Sequence, residues 1–177
     1  MRVVRCFAFL DLCGFTAYTE EQGDARAVEV LAQLRAVLRA EAEDKGVRVT
    51  KWLGDGAMLS GVEAASVLAC VTTVRERVGV EGRLALRGGV CHGPVIMFEG
   101  DDYIGAPVNT AARLCDAAVA GQVLATANTA TFAPPGLETR RLHEIRVPGL
   151  SAPVAVCELT PPAREEADPP PSGIVGS

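Results

Sequence analysis

Apolar residues recur along this chain with two periods. Residues 3–10 (VVRCFAFL) form an almost continuous apolar run with β-branched and aromatic members, which predicts a buried strand. The run ends in Asp11-Leu12-Cys13-Gly14-Phe15-Thr16. Over 24–45, Val28, Leu31, Leu34 or Arg35, and Leu38 recur at helical spacing, with Glu and Arg on the other face. Asp24 is the expected N-cap and Gly46 the stop. Residues 47–53 alternate as a strand, Gly54-Asp55-Gly56 is a tight turn, and 57–61 returns as the second strand of a hairpin. A helix is expected over 63–78. Two strands, 84–91 and 94–98, are expected to join at His92-Gly93, followed by a loop over 100–107. Then come a helix over 108–118, a strand over 121–126, and a short helix around 126–132. Two last strands, 137–147 and 153–159, flank a Pro148-Gly149 turn. The order is an α+β plan: a mostly antiparallel sheet with helices on one face.

From Pro161 the pattern stops. PPAREEADPPPSGIVGS has five prolines and few apolar side chains, which reads as a disordered tail. The expected division is a folded domain over 1–160 and a Pro-rich tail over 161–177.

Composition narrows the classes. Of 177 residues, 49% are hydrophobic but only 5% aromatic, so the core is built mainly from Ala, Val and Leu. The net charge of −5, with no Lys/Arg run, argues against nucleic acid as a partner and against an anionic membrane surface. Apolar runs of about eight residues fall far short of the ~20 a membrane span needs, so no membrane insertion is expected. The N-terminus lacks the pattern of a cleaved leader. The six cysteines show no CxxC spacing and mostly sit in apolar stretches. They read as buried free thiols, and the expected location is cytoplasmic. The 17 basic residues comprise 15 Arg and two Lys, Lys45 and Lys51, so a lysine is a rare choice in this chain.

Three places carry candidate chemistry. Asp11 is in phase with Phe7 and Phe9 at a strand end, and Asp55 sits in a Gly-Asp-Gly turn after another strand. Carboxylates at two strand ends, beside a Gly-containing helix start, suit Mg²⁺ and a triphosphate. The alternative is a helix N-cap at Asp11 and an ordinary turn residue at Asp55. Lys51 is in phase with Val47, Val49 and Leu53, on the apolar side of its strand, where an ammonium group needs a partner. That partner is a ligand or an internal salt bridge. Asn109 and Arg113 share one helix face and can hold a sugar and a phosphoryl group, or form a solvated face.

Taken together, FAFLDLCGFT, KWLGDG and DDYIGAPVNTAARL resemble the motifs of class III nucleotidyl cyclases, specifically adenylyl cyclase catalytic domains. LRGGVCHGPVI is similar to the strand pair that follows in that family, and the resemblance spans roughly residues 3–159. It implies a ferredoxin-like, palm-type βαββαβ core. It implies that Asp11, Asp55 and the backbone of Leu12 hold two divalent cations, Mg²⁺ or Mn²⁺. Lys51 and Asp102 match the pair that recognises adenine, Asn109 the residue that orients the ribose, and Arg113 the residue that stabilises the phosphoryl group. The triphosphate falls to Cys13, Gly14, Phe15 and Thr16, with Arg146 as a further contact. The implied reaction turns ATP into cyclic AMP and pyrophosphate, in two symmetric sites of a head-to-tail homodimer.

The base preference also follows from hydrogen-bond chemistry. Adenine accepts at N1 and donates from N6, so an ammonium and a carboxylate satisfy it, whereas guanine reverses both demands. One departure stands out. Relatives often carry a basic residue near the last turn, and here that place is taken by Leu150, with Arg146 or Arg141 as stand-ins.

Overall fold

The computed structural model describes residues 1–81, 84–100 and 102–161. The first strand, β1 (Arg2–Leu12), is followed by α1 (Phe15–Gln22), α2 (Asp24–Lys45), β2 (Arg48–Leu53), β3 (Gly56–Gly61) and α3 (Ala64–Glu81). Then come β4 (Leu86–Phe98), β5 (Asp102–Ile104), α4 (Ala106–Ala117), β6 (Val123–Thr126), α5 (Ala127–Ala130), β7 (Glu138–Ile145) and β8 (Val154–Thr160). One sheet runs β2-β3-β1-β4-β6-β8-β7, with β5 paired to β4. Its ladders are antiparallel except β4–β6. The order β2-β3-β1-β4 is that of a split βαβ core, so the expected α+β class holds. The tail reading falls on residues that, from 162 onward, lie outside the described ones.

The two faces of β1 organise the core. Cys6, Ala8, Leu10 and Leu12 pack with Val30, Leu34 and Leu38 of α2 and with Val67, Leu68, Val71 and Val74 of α3. Phe7 turns to the other face, with Met58, Cys91, Val95 and Ala111 of α4. Helices on one face is therefore right for α2 and α3, while α4 covers the opposite face. A strand covered on both sides is apolar at successive positions, which is why 3–10 shows no alternation.

Three local expectations change. His92-Gly93 is not a turn: β4 is one strand, and its ladder with β1 continues through Cys6↔His92 and Arg5↔Gly93. Gly93 is small for another reason, since a Cβ there would stand 2.8 Å from Pro107 Cγ at the start of α4. The supposed loop over 100–107 contains β5 and the first turn of α4. The N-cap of α2 is Gly23, with Asp24 as the first helical residue, where its charge suits the helix dipole. Gly46 does end α2, at φ 64°.

All six cysteines are free, and Cys6, Cys70, Cys91, Cys115 and Cys157 are buried. Burial pushes the Cys6, Cys70 and Cys115 thiols up to about 12. Among the described residues no helix is long and apolar enough to cross a membrane.

Candidate active site

Strand pairing gathers residues that are distant in sequence. On β1, Asp11 lies opposite Gly56 of β3 and opposite Arg87 of β4. Asp55 occupies the turn just before β3, after Gly54 at φ 64°, and its carbonyl accepts from Leu12 N at 3.1 Å. Gly56 makes the approach sterically feasible: a Cβ there would stand 2.2 Å from Leu10 O. The result is a cleft of about 360 Å³ lined by Asp11, Leu12, Asp55, Arg87 and the segment Cys13-Gly14-Phe15-Thr16 that opens α1. The two aspartates and the helix start expected to serve metal and triphosphate are thus together.

Arg87 is the cleft residue that the sequence reading missed. Its Nη2 donates to Asp11 Oδ2 at 3.0 Å, and its Nη1 to Asp116 O at 3.1 Å. The available signal was a lone arginine inside the apolar run LALRGGV.

The setting of Lys51 corrects the sequence reading. The β2–β3 ladder shifts register between Val49 and Lys51. Val49, opposite Leu59, and Trp52, opposite Ala57, both pack against the core under α2 and α3. Lys51, opposite Met58, therefore faces the other way, toward the Phe7 side of the sheet. It does not share the apolar side of Val47 and Val49. Its Nζ donates to Asp102 Oδ1 at 2.7 Å. Tyr103, next to Asp102, packs edge-on against Phe7, with ring centroids 5.1 Å apart. The side chains of Lys51 and Asp102 are 52% and 55% exposed, and such pairs contribute only about 0–1 kcal/mol to stability. The pair is too wet to matter as a structural strut, and its groups remain available to a ligand.

Asn109 and Arg113 are exposed on α4, which buries Pro107, Thr110, Ala111, Leu114 and Cys115 on its other side. Among the described residues, Arg113 makes one loose ion-pair contact, to Asp116 at 3.7 Å. None of Lys51, Asp102, Asn109, Arg113 or Arg146 lines the Asp11–Asp55 cleft. Arg146 is exposed just after β7, where Leu150 N closes the turn on Val147 O at 3.0 Å.

Residues 4–157 match the family described as adenylate and guanylate cyclase catalytic domain. The chain belongs to the class III cyclases. An uncharacterized protein of Mycobacterium tuberculosis is 35% identical over 169 residues, covering 93% of this chain and 44% of its own length. A pH-sensitive adenylate cyclase of the same organism is 35% identical over 121 residues, 66% of this chain and 29% of its own. The cyclase domain thus spans less than half the length of these curated relatives. Among solved structures, the adenylyl cyclase CyaB from P. aeruginosa superposes with a TM-score of 0.82 at 25% identity, covering 94% of this chain and 98% of that one.

The cyclase domain's cleft has the donor chemistry for a divalent cation. Burial, and then the negative charge of Asp11, hold the Asp55 carboxyl above the usual carboxylate range. Asp11 has Arg87 as counter-charge, but among the described residues no ion pair holds Asp55. Two hard carboxylate oxygen donors, with one charge left over, fit Mg²⁺ or Mn²⁺ whose remaining ligands are water and phosphate. A consequence for stability follows. A carboxyl whose folded pKa is raised loses stability as pH climbs from its unfolded pKa to its folded one, and the loss persists above. Asp55→Asn should therefore raise the melting temperature of the metal-free domain at neutral pH. Mn²⁺ should raise the melting temperature of the unmodified protein and the same substitution should abolish that rise; thermal scans with and without the metal check both.

Proposed function

We propose that this cyclase domain is an adenylyl cyclase, converting ATP to 3′,5′-cyclic AMP and pyrophosphate in sites shared by a head-to-tail pair of copies. The observation that carries the choice of base is the Lys51–Asp102 pair, in contact at 2.7 Å on an exposed face. An ammonium donates to adenine N1 and a carboxylate accepts from N6, whereas guanine would meet donor with donor and acceptor with acceptor. Each mismatch costs roughly 1–3 kcal/mol, so ATP should be preferred over GTP by several hundred-fold. Sharing of the site is supported by the lining of the cleft, which includes Asp11 and Asp55 but none of the four residues assigned to base, ribose and phosphoryl group. A second copy would bring those four.

In this reading the 3′-oxygen of the ribose attacks the α-phosphorus in line, and the bond to pyrophosphate breaks. Asn109 orients the ribose, and Arg113 meets the charge that develops on the α-phosphate. Backbone N–H groups of Gly14, Phe15 and Thr16, at the start of α1, would face the triphosphate, while the Cys13 N–H is taken by Ala85 O at 2.8 Å, which leaves Cys13 to line the cleft. Arg87 supplies a guanidinium within the cleft, which compensates for Leu150 standing where relatives often carry a base. Arg146 remains a second candidate, from the β7–β8 turn. Two divalent cations on Asp11, Asp55 and the Leu12 backbone would lower the pKa of the 3′-hydroxyl and neutralise the leaving pyrophosphate. ATP as substrate and five buried thiols both suit a cytoplasmic setting.

The test is product analysis on purified protein with Mg²⁺ or Mn²⁺. Cyclic AMP should form from ATP with little cyclic GMP from GTP, and Lys51→Ala should erase most of that preference. Equal turnover of the two nucleotides by the unmodified protein would refute the base assignment.

A further inference from the structure

Lys51 reaches the Asp102 side of the sheet because β2 carries one residue more than its partner strand. On a regular strand, residues 49 and 52 point to opposite faces. Here Val49 and Trp52 both pack against the helix-side core, so one residue between them must be accommodated outside the alternation. The register shift lies between Val49 and Lys51, which identifies that residue as Thr50. Bulges of this kind re-aim side chains beside functional sites.

Both ends of the irregular stretch are held. Val49 packs into the core, and Trp52 lies under the guanidinium groups of Arg35 and Arg39, 4.8 and 5.2 Å from its ring centroid. Between them, Thr50 Oγ1 and Ser60 Oγ are 2.8 Å apart, and either can donate. Ser60 is only 4% exposed and pairs with Phe7 across the β1–β3 ladder, which puts this contact on the same face as Met58 and Lys51. Among the described residues, Thr50 is the only hydrogen-bonding partner found for the Ser60 hydroxyl. A buried hydroxyl that loses its partner is destabilised, so the pair favours the bulged register over its alternatives.

We propose that the Thr50–Ser60 hydroxyl pair is the positioning device for base recognition: it pins the bulge and so holds Lys51 in reach of Asp102 and of the nucleotide base. Both are positioning residues that act through Lys51, and the inference rests on the reading of Lys51 as the base contact.

The experiment measures kcat and KM with ATP and with GTP for Thr50→Val, Ser60→Ala, the double variant, Thr50→Ser and Lys51→Ala. Thr50→Val and Ser60→Ala should each raise the KM for ATP about fivefold, more than kcat falls, and lower the ATP-over-GTP ratio of kcat/KM by about the same factor. The double variant should be no worse than either single one, because both remove one shared bond. Thr50→Ser, which keeps the hydroxyl, should restore both values. Should Thr50→Val fold poorly, Ser60→Ala carries the test, since it leaves the bulged residue unchanged. Less than a twofold change in KM and in the ratio for both hydroxyl variants, with Lys51→Ala still erasing the preference, overturns the positioning role and leaves the base assignment standing. If Lys51→Ala leaves the preference intact, the base assignment falls, and the positioning role with it.

Discussion

An equimolar mixture of Asp11→Ala and Arg113→Ala proteins should regain about a quarter of the activity of the unmodified protein, although each variant alone is nearly inactive. Asp11 is one of the two carboxylates of the cleft. Removing it also frees Arg87, whose Nη2 lies 3.0 Å from it, to lie across the space a cation would take. Arg113 projects from the exposed face of α4, and losing a group aimed at developing charge typically costs about 10²–10³-fold in rate. If the two residues serve the same site from different copies, half of the dimers in a random mixture are mixed. Each mixed dimer has one intact site and one site lacking both residues, which yields about one quarter overall. The measurement is cyclic AMP production by each protein and by the mixture, with heterodimers captured through two different tags. A mixture that stays inactive despite captured heterodimers would sink the shared-site arrangement.

The largest expected effect on stability is at Gly89. A Cβ built there would stand 2.2 Å from Ala111 O, 2.3 Å from Cys115 N and 2.7 Å from Leu114 Cβ. Two of these are helix backbone atoms, which cannot swing aside as a flexible side chain can. Gly89→Ala must therefore lift α4 off β4, opening the packing of Leu114, Leu124 and Val156 as well as that of Ala111 with Phe7. Overpacking of this severity should cost at least ~3 kcal/mol and lower the melting temperature by about 6–12 °C. Cyclase activity should fall further than stability does, because α4 also carries Asn109 and Arg113. Gly79→Ala is the control: nothing lies within 4 Å of a Cβ there, inside α3, and alanine is the better helix former. A Gly89→Ala protein melting within 2 °C of the unmodified one would mean that α4 is not seated against β4 as described.

How far the site was legible depends on how local its causes are. Asp11 was placed correctly, in phase with Phe7 and Phe9, because β1 pairs without interruption on both edges. The Gly-Asp-Gly turn and the Gly46 stop were legible because short-range backbone geometry decides them. The apolar and polar pattern puts Lys51 on the wrong side of its strand. A bulge leaves no mark in the apolar and polar pattern, and one extra residue inverts every position beyond it. Arg87 was missed because its meaning depends on Asp11, 76 positions earlier, and only the β1–β4 pairing brings the two together. The second covered face was also hidden. A continuous apolar run announces that both sides are buried but does not name the helix that covers each.

By itself, the sequence determined the type and order of most elements and the family, and it supplied the residues proposed to carry the chemistry apart from Arg87, since each rests on residue types at short spacing. The tertiary structure alone decided which side each residue faces and what it meets there. Those outcomes depend on strand register and on close approaches such as Gly56 to Leu10 and Gly89 to α4, in which distant segments exclude or admit one another by contact. The scarcity of lysine pointed at Lys51. Its route to Asp102 runs through a single extra residue in β2, which the chain accommodates only once β3 is paired beside it.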